Sequence, residues 1–206
     1  MTNPTASTIA WRETPTLTGR YVSLTPTIRA DRDGILAAFA SGLEDAFHTT
    51  VPSLSTIDAW YERIEREQAA GRTMPFTVRD ASGEIAGTTR FLRMAPQHRR
   101  VEIGGTVYAP RVQRTGLNTE AKMLLLAYAF EQLDCYCVQI RTDFLNRRSR
   151  AAIERLGARM DGVIRGHLIL DGHYRDSVLY SILEHEWPGV KRNIEALMAG
   201  YEGRNA

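Results

Sequence analysis

The chain has 206 residues, 43% of them apolar and 24% charged, and a formal net charge of +2 at pH 7. That length supports one sizeable core, and that balance is typical of a soluble globular protein. So small a net charge gives no reason to expect a nucleic acid or a membrane surface as partner, and no apolar run approaches the ~20 residues needed to span a bilayer.

Lys122 and Lys191 are the only lysines; every other cation is an arginine. Arginine suits planar anions, although compositional bias is the simpler reading. The two cysteines, Cys135 and Cys137, lie two apart in an apolar run. They predict reduced thiols in a cytoplasmic protein, with neither a disulfide nor a metal site. Met1 to Thr16 is polar, without the basic start and apolar core of a signal peptide, and is expected to be a flexible arm pinned by Trp11. Residues 17–206 are expected to form a single domain.

Leu17 to Leu24 alternates as a strand, stopped by Pro26. Asp31 to Leu43 has the spacing of a short amphipathic helix. Ser55-Thr56-Ile57-Asp58 reads as a capping box before a helix over Trp60 to Ala70, ended by Gly71. Phe76 to Arg79 and Ile85 to Met94, joined by a turn at 81–84, read as a hairpin. Val101 to Tyr108 is a further strand, stopped by Pro110. Thr119 to Leu133 is apolar almost all round, the mark of a buried helix. Tyr136 to Thr142 is a strand, and Arg147 to Leu156 a helix closed by Gly157. Met160 to Leu170 and Tyr174 to Leu183 form a closing hairpin about Asp171-Gly172, and Lys191 to Met198 is a last short helix after Trp187-Pro188. This order predicts a mixed α/β fold, one sheet with helices on both faces.

The most informative stretch is Gln113-Arg114-Thr115-Gly116-Leu117-Asn118-Thr119, between a strand and the start of the buried helix. The first N–H groups of a helix have no internal acceptor and its dipole is positive there, so such a loop binds anions. Gly116 lets the backbone approach a ligand, and Arg114 adds a charge. Alone, the segment is equally an ordinary turn capped by Asn118 or Thr119.

This loop resembles the pyrophosphate loop of the GCN5-related N-acetyltransferases, with Gln113, Gly116 and Asn118 at the patterned positions. Asn118 stands where Gly or Ala is usual. The resemblance continues through Leu17 to Val22, Val101-Glu102-Ile103-Gly104, Thr142-Asp143 with Asn146 and Ser149, Leu156-Gly157-Ala158, and Arg175 to Tyr180. It covers roughly residues 17 to 187, and Thr115 to Lys122 looks like a branch of the family similar to the Rim-type ribosomal-protein N-acetyltransferases.

The resemblance implies a centrally splayed mixed sheet and acetyl-CoA as co-substrate. It implies direct transfer of the acetyl group to a primary amine, on a protein or peptide terminus or on a small metabolite or antibiotic. The strand over Val101 to Tyr108 would part from that over Tyr136 to Thr142 to admit the pantetheine arm. Backbone N–H groups of Gly105, Thr106 and Val107 would hold the thioester carbonyl as an oxyanion hole. Asn146 would bind a pantetheine amide or cap the following helix. A Tyr that many members carry seven residues after that Asn is here Ile153. Ser149 is the hydroxyl expected to approach the sulfur. Glu102 is the candidate general base, expected in apolar surroundings, with His167 as runner-up. The acceptor would meet Phe47, His48, Arg165 and His167. Arg90, Arg93, Arg99 and Arg100 either attract a carboxylate or form a solvated strand edge. A homodimer is compatible with this reading. The missing Tyr keeps open a non-catalytic acyl-CoA-binding or sensor module. A nucleotide-binding domain is disfavoured by the lack of Gly-Lys-Ser/Thr after the loop.

Overall fold

The computed structural model describes residues 10–40, 43, 50–170 and 172–202. Phe47, His48 and Asp171 lie outside them. One eight-stranded sheet organises the molecule, in the order β1-β2-β3-β4-β5-β6-β8-β7. The strands are β1 (Leu17–Thr18), β2 (Val22–Pro26), β3 (Met74–Asp80), β4 (Ile85–Ala95), β5 (Arg100–Tyr108), β6 (Cys137–Asp143), β7 (Arg159–Leu170) and β8 (His173–Leu183). The helices are α1 (Arg32–Ala38), α2 (Ile57–Ala69), α3 (Leu117–Ala127), α4 (Arg147–Arg155) and α5 (Trp187–Glu202). All strand pairs are antiparallel except β5 with β6.

Strand alternation assigns the helices to faces. Phe91 on β4 stacks on Tyr128 just after α3, so α3 covers the face carrying Phe91 and its register partner Ile103. Ile103 is paired with Ile140, and Ile140 with Tyr180. The Tyr180 hydroxyl donates to Glu154 of α4 at 2.6 Å, which places α4 on the same face. Thr77 points the other way, donating to Asp31 at the start of α1. The core lies between these layers, with Leu24, Phe76, Phe91, Ile103, Leu125 and Tyr180 almost fully buried.

Several expected boundaries move. The first strand is two short ones, β1 and β2, paired with each other. The Glu120 carboxylate holds the turn between them by accepting from the N–H groups of Arg20, Tyr21 and Val22 at 2.8, 2.6 and 3.0 Å. The capping box at 55–58 does not form: Thr56 Oγ1 accepts from Ser53 N (2.9 Å), and α2 begins at Ile57. The buried helix starts at Leu117, not Thr119, and its last turn widens to a π-helix over Tyr128–Gln132. The last helix has 16 residues because Trp187 and Pro188 belong to its first turn, where proline's missing N–H costs nothing. Gly157 closes α4 at φ +104°. Trp11 is buried and donates to the Leu133 carbonyl at 3.2 Å.

Candidate active site

β5 and β6 are paired only from Arg100↔Cys137 to Ile103↔Ile140. Beyond that point both strands continue without pairing to each other, so the β6-facing edge of β5 from Gly104 to Tyr108 carries no strand partner. Such an edge offers backbone donors and acceptors to a ligand. In the same place the register with β4 slips: Arg90 pairs with Gly104 and Thr88 with Val107. One extra residue is accommodated on β5, and Gly105 takes it up at φ +57°. The gap opens into a cleft of about 1490 Å³.

At one end of the cleft stand the N-termini of α3 and α4. The first intrahelical acceptor of α3 is the Gly116 carbonyl, which takes the N–H of Glu120. The N–H groups of Asn118 and Thr119 therefore have no acceptor within the helix. Thr115 Oγ1 accepts from Leu117 N at 3.3 Å, and Gln113 Nε2 donates to the Tyr108 carbonyl at 3.2 Å. Gln113, Arg114, Thr115 and Asn118 line the cleft; Gly116, Leu117 and Thr119 do not. Gly116 has an ordinary helical φ and is buried against Tyr21 and Tyr201, while the left-handed position falls on Arg114 at φ +64°. A Cβ there would stand 3.4 Å or more from both rings, an ordinary packing distance, so neither sterics nor φ demands a glycine. Thr119 is fully buried and accepts from Arg155 at 2.8 Å. Arg147 and Arg148, in the first turn of α4, also line the cleft; the pattern of the loop gave no sign of them.

Asn146 caps α4, its Oδ1 accepting from Ser149 N at 2.9 Å. Its Nδ2 remains as a donor, so capping and ligand contact are compatible. Ser149, Ile153 and Leu156 turn one side of α4 to the cleft.

The same face carries a residue that sequence reasoning missed. Lys122 is buried at 6% exposure, yet lines the cleft. Its Nζ donates to Thr106 Oγ1 at 2.9 Å, and that hydroxyl lies 2.8 Å from Thr89 Oγ1. Burial alone pushes the amine down to about 7. Its rarity among so many arginines was the one available signal.

The opposite face holds Glu102. Its expected apolar surroundings are not found. Glu102 is 3% exposed, but Arg93 Nη1 donates to Oε1 at 2.8 Å and Arg141 Nη2 lies 3.1 Å from Oε2. A second bulge produces this pairing. The β4–β5 register slips between Leu92 and Ala95, and Arg93 sits there at φ +47°. Oε2 accepts no well-aligned hydrogen bond within the protein. His167 joins the network: Arg141 Nη1 lies 3.1 Å from Nε2, and Nδ1 lies 2.9 Å from Ser177 Oγ. A guanidinium only donates, so Nε2 accepts and Nδ1–H donates to the serine. Desolvation, then Arg141, hold the imidazole below its ordinary pKa. Its lone pair is already engaged by Arg141, which weakens its claim as base.

Arg165 does not line the cleft and is largely exposed, 3.7 Å from Asp176. The β7–β8 register slips between Ile164 and Leu168, and Gly166 is at φ +56°. This irregularity uncouples Arg165 from the direction of His167. Arg90 lies over the Gly105 bulge, whereas Arg99 binds the Asp134 carbonyl and carboxylate away from the cleft. Cys135 is buried, with its thiol pushed up to about 12, and suits no role as acyl carrier.

A family profile described as "Acetyltransferase (GNAT) domain" matches residues 22–159. Among curated proteins, "Putative ribosomal N-acetyltransferase YdaF" of Bacillus subtilis (strain 168) is 35% identical over 109 residues, 53% of this chain and 59% of that protein. Spermidine N(1)-acetyltransferase of Escherichia coli (strain K12) is 27% identical over 127 residues, 62% of this chain and 66% of that protein. The chain thus spans about three fifths to two thirds of these relatives. A crystal structure of a GCN5-related N-acetyltransferase from Brucella melitensis superposes with TM-score 0.80 at 29% identity, covering 90% of this chain and 86% of that one. With the sheet splayed between β5 and β6, the match over residues 22–159 shows that the chain belongs to the GNAT acetyltransferase family.

Proposed function

We propose that the protein transfers an acetyl group from acetyl-CoA directly to a primary amine. The observation that carries this reading is the parting of β5 and β6 beside the Gly105 bulge, which leaves an unpaired backbone edge between two helix N-termini. The phosphates suit the α3 N-terminus, with Arg114, Arg147 and Arg148 nearby. The pantetheine arm then runs along the face of α3 and α4, past Asn146, with the thioester carbonyl on the N–H groups of Gly105 to Val107.

The amine enters from the face of Glu102. A C–N bond forms as the C–S bond breaks, and the electron pair leaves on sulfur. Glu102 Oε2 takes the proton of the attacking nitrogen, directly or through one water. The two neighbouring guanidiniums of Arg93 and Arg141 disfavour an ammonium in the cleft. The thiolate, of ordinary pKa near 8.5, needs modest help. Ser149 donates a hydrogen bond, and the buried Lys122 ammonium lies on the sulfur side of the sheet to stabilise the departing charge.

Release of free CoA from acetyl-CoA with a panel of amines tests the reading. Binding of acetyl-CoA without release from any amine would instead favour a sensor module, which the missing Tyr at Ile153 allows.

A further inference from the structure

Among the described residues, the floor of the acceptor side carries more guanidiniums than carboxylates. Glu67 is held by Arg72, which donates to it at 2.7 and 3.0 Å. Glu102 is held by Arg93 and Arg141. Arg90 has no carboxylate and no side-chain hydrogen-bond partner among the described residues, and its Nε is buried.

Position makes this orphan informative. Arg90 pairs in register with Gly104 and points to the face of Glu102, which pairs with Leu92 two residues on. The side chain then folds across the bulge. A Cβ on Gly105 would lie 2.5 Å from Arg90 Nε and 3.2 Å from its Cζ. The guanidinium thus covers the backbone that is read above as the seat of the thioester, on the side from which an amine approaches. It is disfavoured where it stands: burial, then repulsion from Arg63, brings Arg90 down to about 10. A half-buried guanidinium with an unsatisfied buried Nε and no counter-charge among the described residues is costly, and a bound anion relieves it.

Resting on the acetyl-transfer reading, we propose that Arg90 is the carboxylate-binding residue of the acceptor site and that the acceptor is a small amine bearing a carboxylate, an α-amino acid being its shortest form. The guanidinium receives the carboxylate through paired N–H donors, and the amine a bond or two away reaches the thioester carbonyl. Closeness to the bulge sets the length of the acceptor. A peptide α-amine carries an amide where the carboxylate is needed, and a polyamine brings only further positive charge beside Arg63, Arg93 and Arg141.

The test compares the common α-amino acids with their amides, their decarboxylated amines, spermidine and short peptides, read as CoA release by wild type and Arg90→Gln. Thermal shift with acetyl-CoA shows that the variant folds and binds cofactor. For at least one amino acid, kcat/KM should exceed that of its amide and decarboxylated amine by about 10- to 100-fold, one charge-assisted pair. In Arg90→Gln that preference should shrink to within about threefold, mainly through KM, while amines without a carboxylate are unaffected or improved. Preferred turnover of spermidine, amides or peptides would overturn the proposal alone. So would a preference that survives in the variant. Absence of CoA release from every amine would overturn the acetyl-transfer reading and this proposal with it.

Discussion

The Nζ of Lys122 donates to Thr106 Oγ1 at 2.9 Å, joining the second turn of α3 to the strand just past the Gly105 bulge. Burial holds this amine at about 7 instead of its ordinary 10.5. Between those two values the unfolded chain binds a proton that the folded chain does not. Stability contributed by this residue therefore rises with pH from about 7 to about 10.5, and the full penalty is present below 7.

Lys122→Met should remove that penalty. At pH 7 the variant should be more stable by a few kcal/mol, with about 4 kcal/mol an upper figure once the lost hydrogen bond is counted. Chemical denaturation at pH 7 and pH 10 should show the gain shrinking at the higher pH. Turnover at pH 7 should fall by about tenfold or more, a stability–activity trade expected of a site residue. A variant that is both less stable and fully active would assign Lys122 to the core alone.

Glu102→Gln should lower kcat at pH 7 by about a hundredfold, the low end for a general base. The defect should narrow as pH rises and the free amine becomes neutral. It should also lower stability, since Arg93 and Arg141 lose their buried counter-charge. A defect in kcat independent of pH would reduce Glu102 to a positioning residue for the two arginines.

Ser149→Ala should cost about tenfold in turnover, the loss of roughly one transition-state hydrogen bond. Asn146→Ala should cost about 1 kcal/mol of stability as a lost N-cap, together with a raised KM for acetyl-CoA from the lost Nδ2 donor. A loss beyond about a thousandfold in Ser149→Ala would make its hydroxyl the obligatory proton donor and leave Lys122 without a part.

Features of the sheet centre were legible where local chemistry and function coincide. The bulge falls on Gly105 because only a residue without Cβ takes φ +57° cheaply. Asn146 before Arg147 announced a cap, and Gly157 a helix stop, from nearest neighbours alone. What stayed hidden depends on packing between distant segments. The contact of Lys122 with Thr106 exists only once α3 is placed against β5. Glu102 reads as lying in apolar surroundings because the bulge at Arg93 and the register of β6, which deliver its arginines, leave no local trace. Gly116 packs beside Tyr21 and Tyr201, 95 and 85 residues away in sequence, a neighbourhood the loop pattern could not reveal.

The account stands on the release of free CoA thiol from acetyl-CoA by the purified protein across a panel of primary amines, with each acetylated product identified by mass. It predicts amine-dependent release well above the amine-free blank, one N-acetyl product for each CoA freed, and no acetyl group retained on Cys135 or Cys137. Acetyl-CoA that binds in the cleft but yields no CoA with any amine would contradict it.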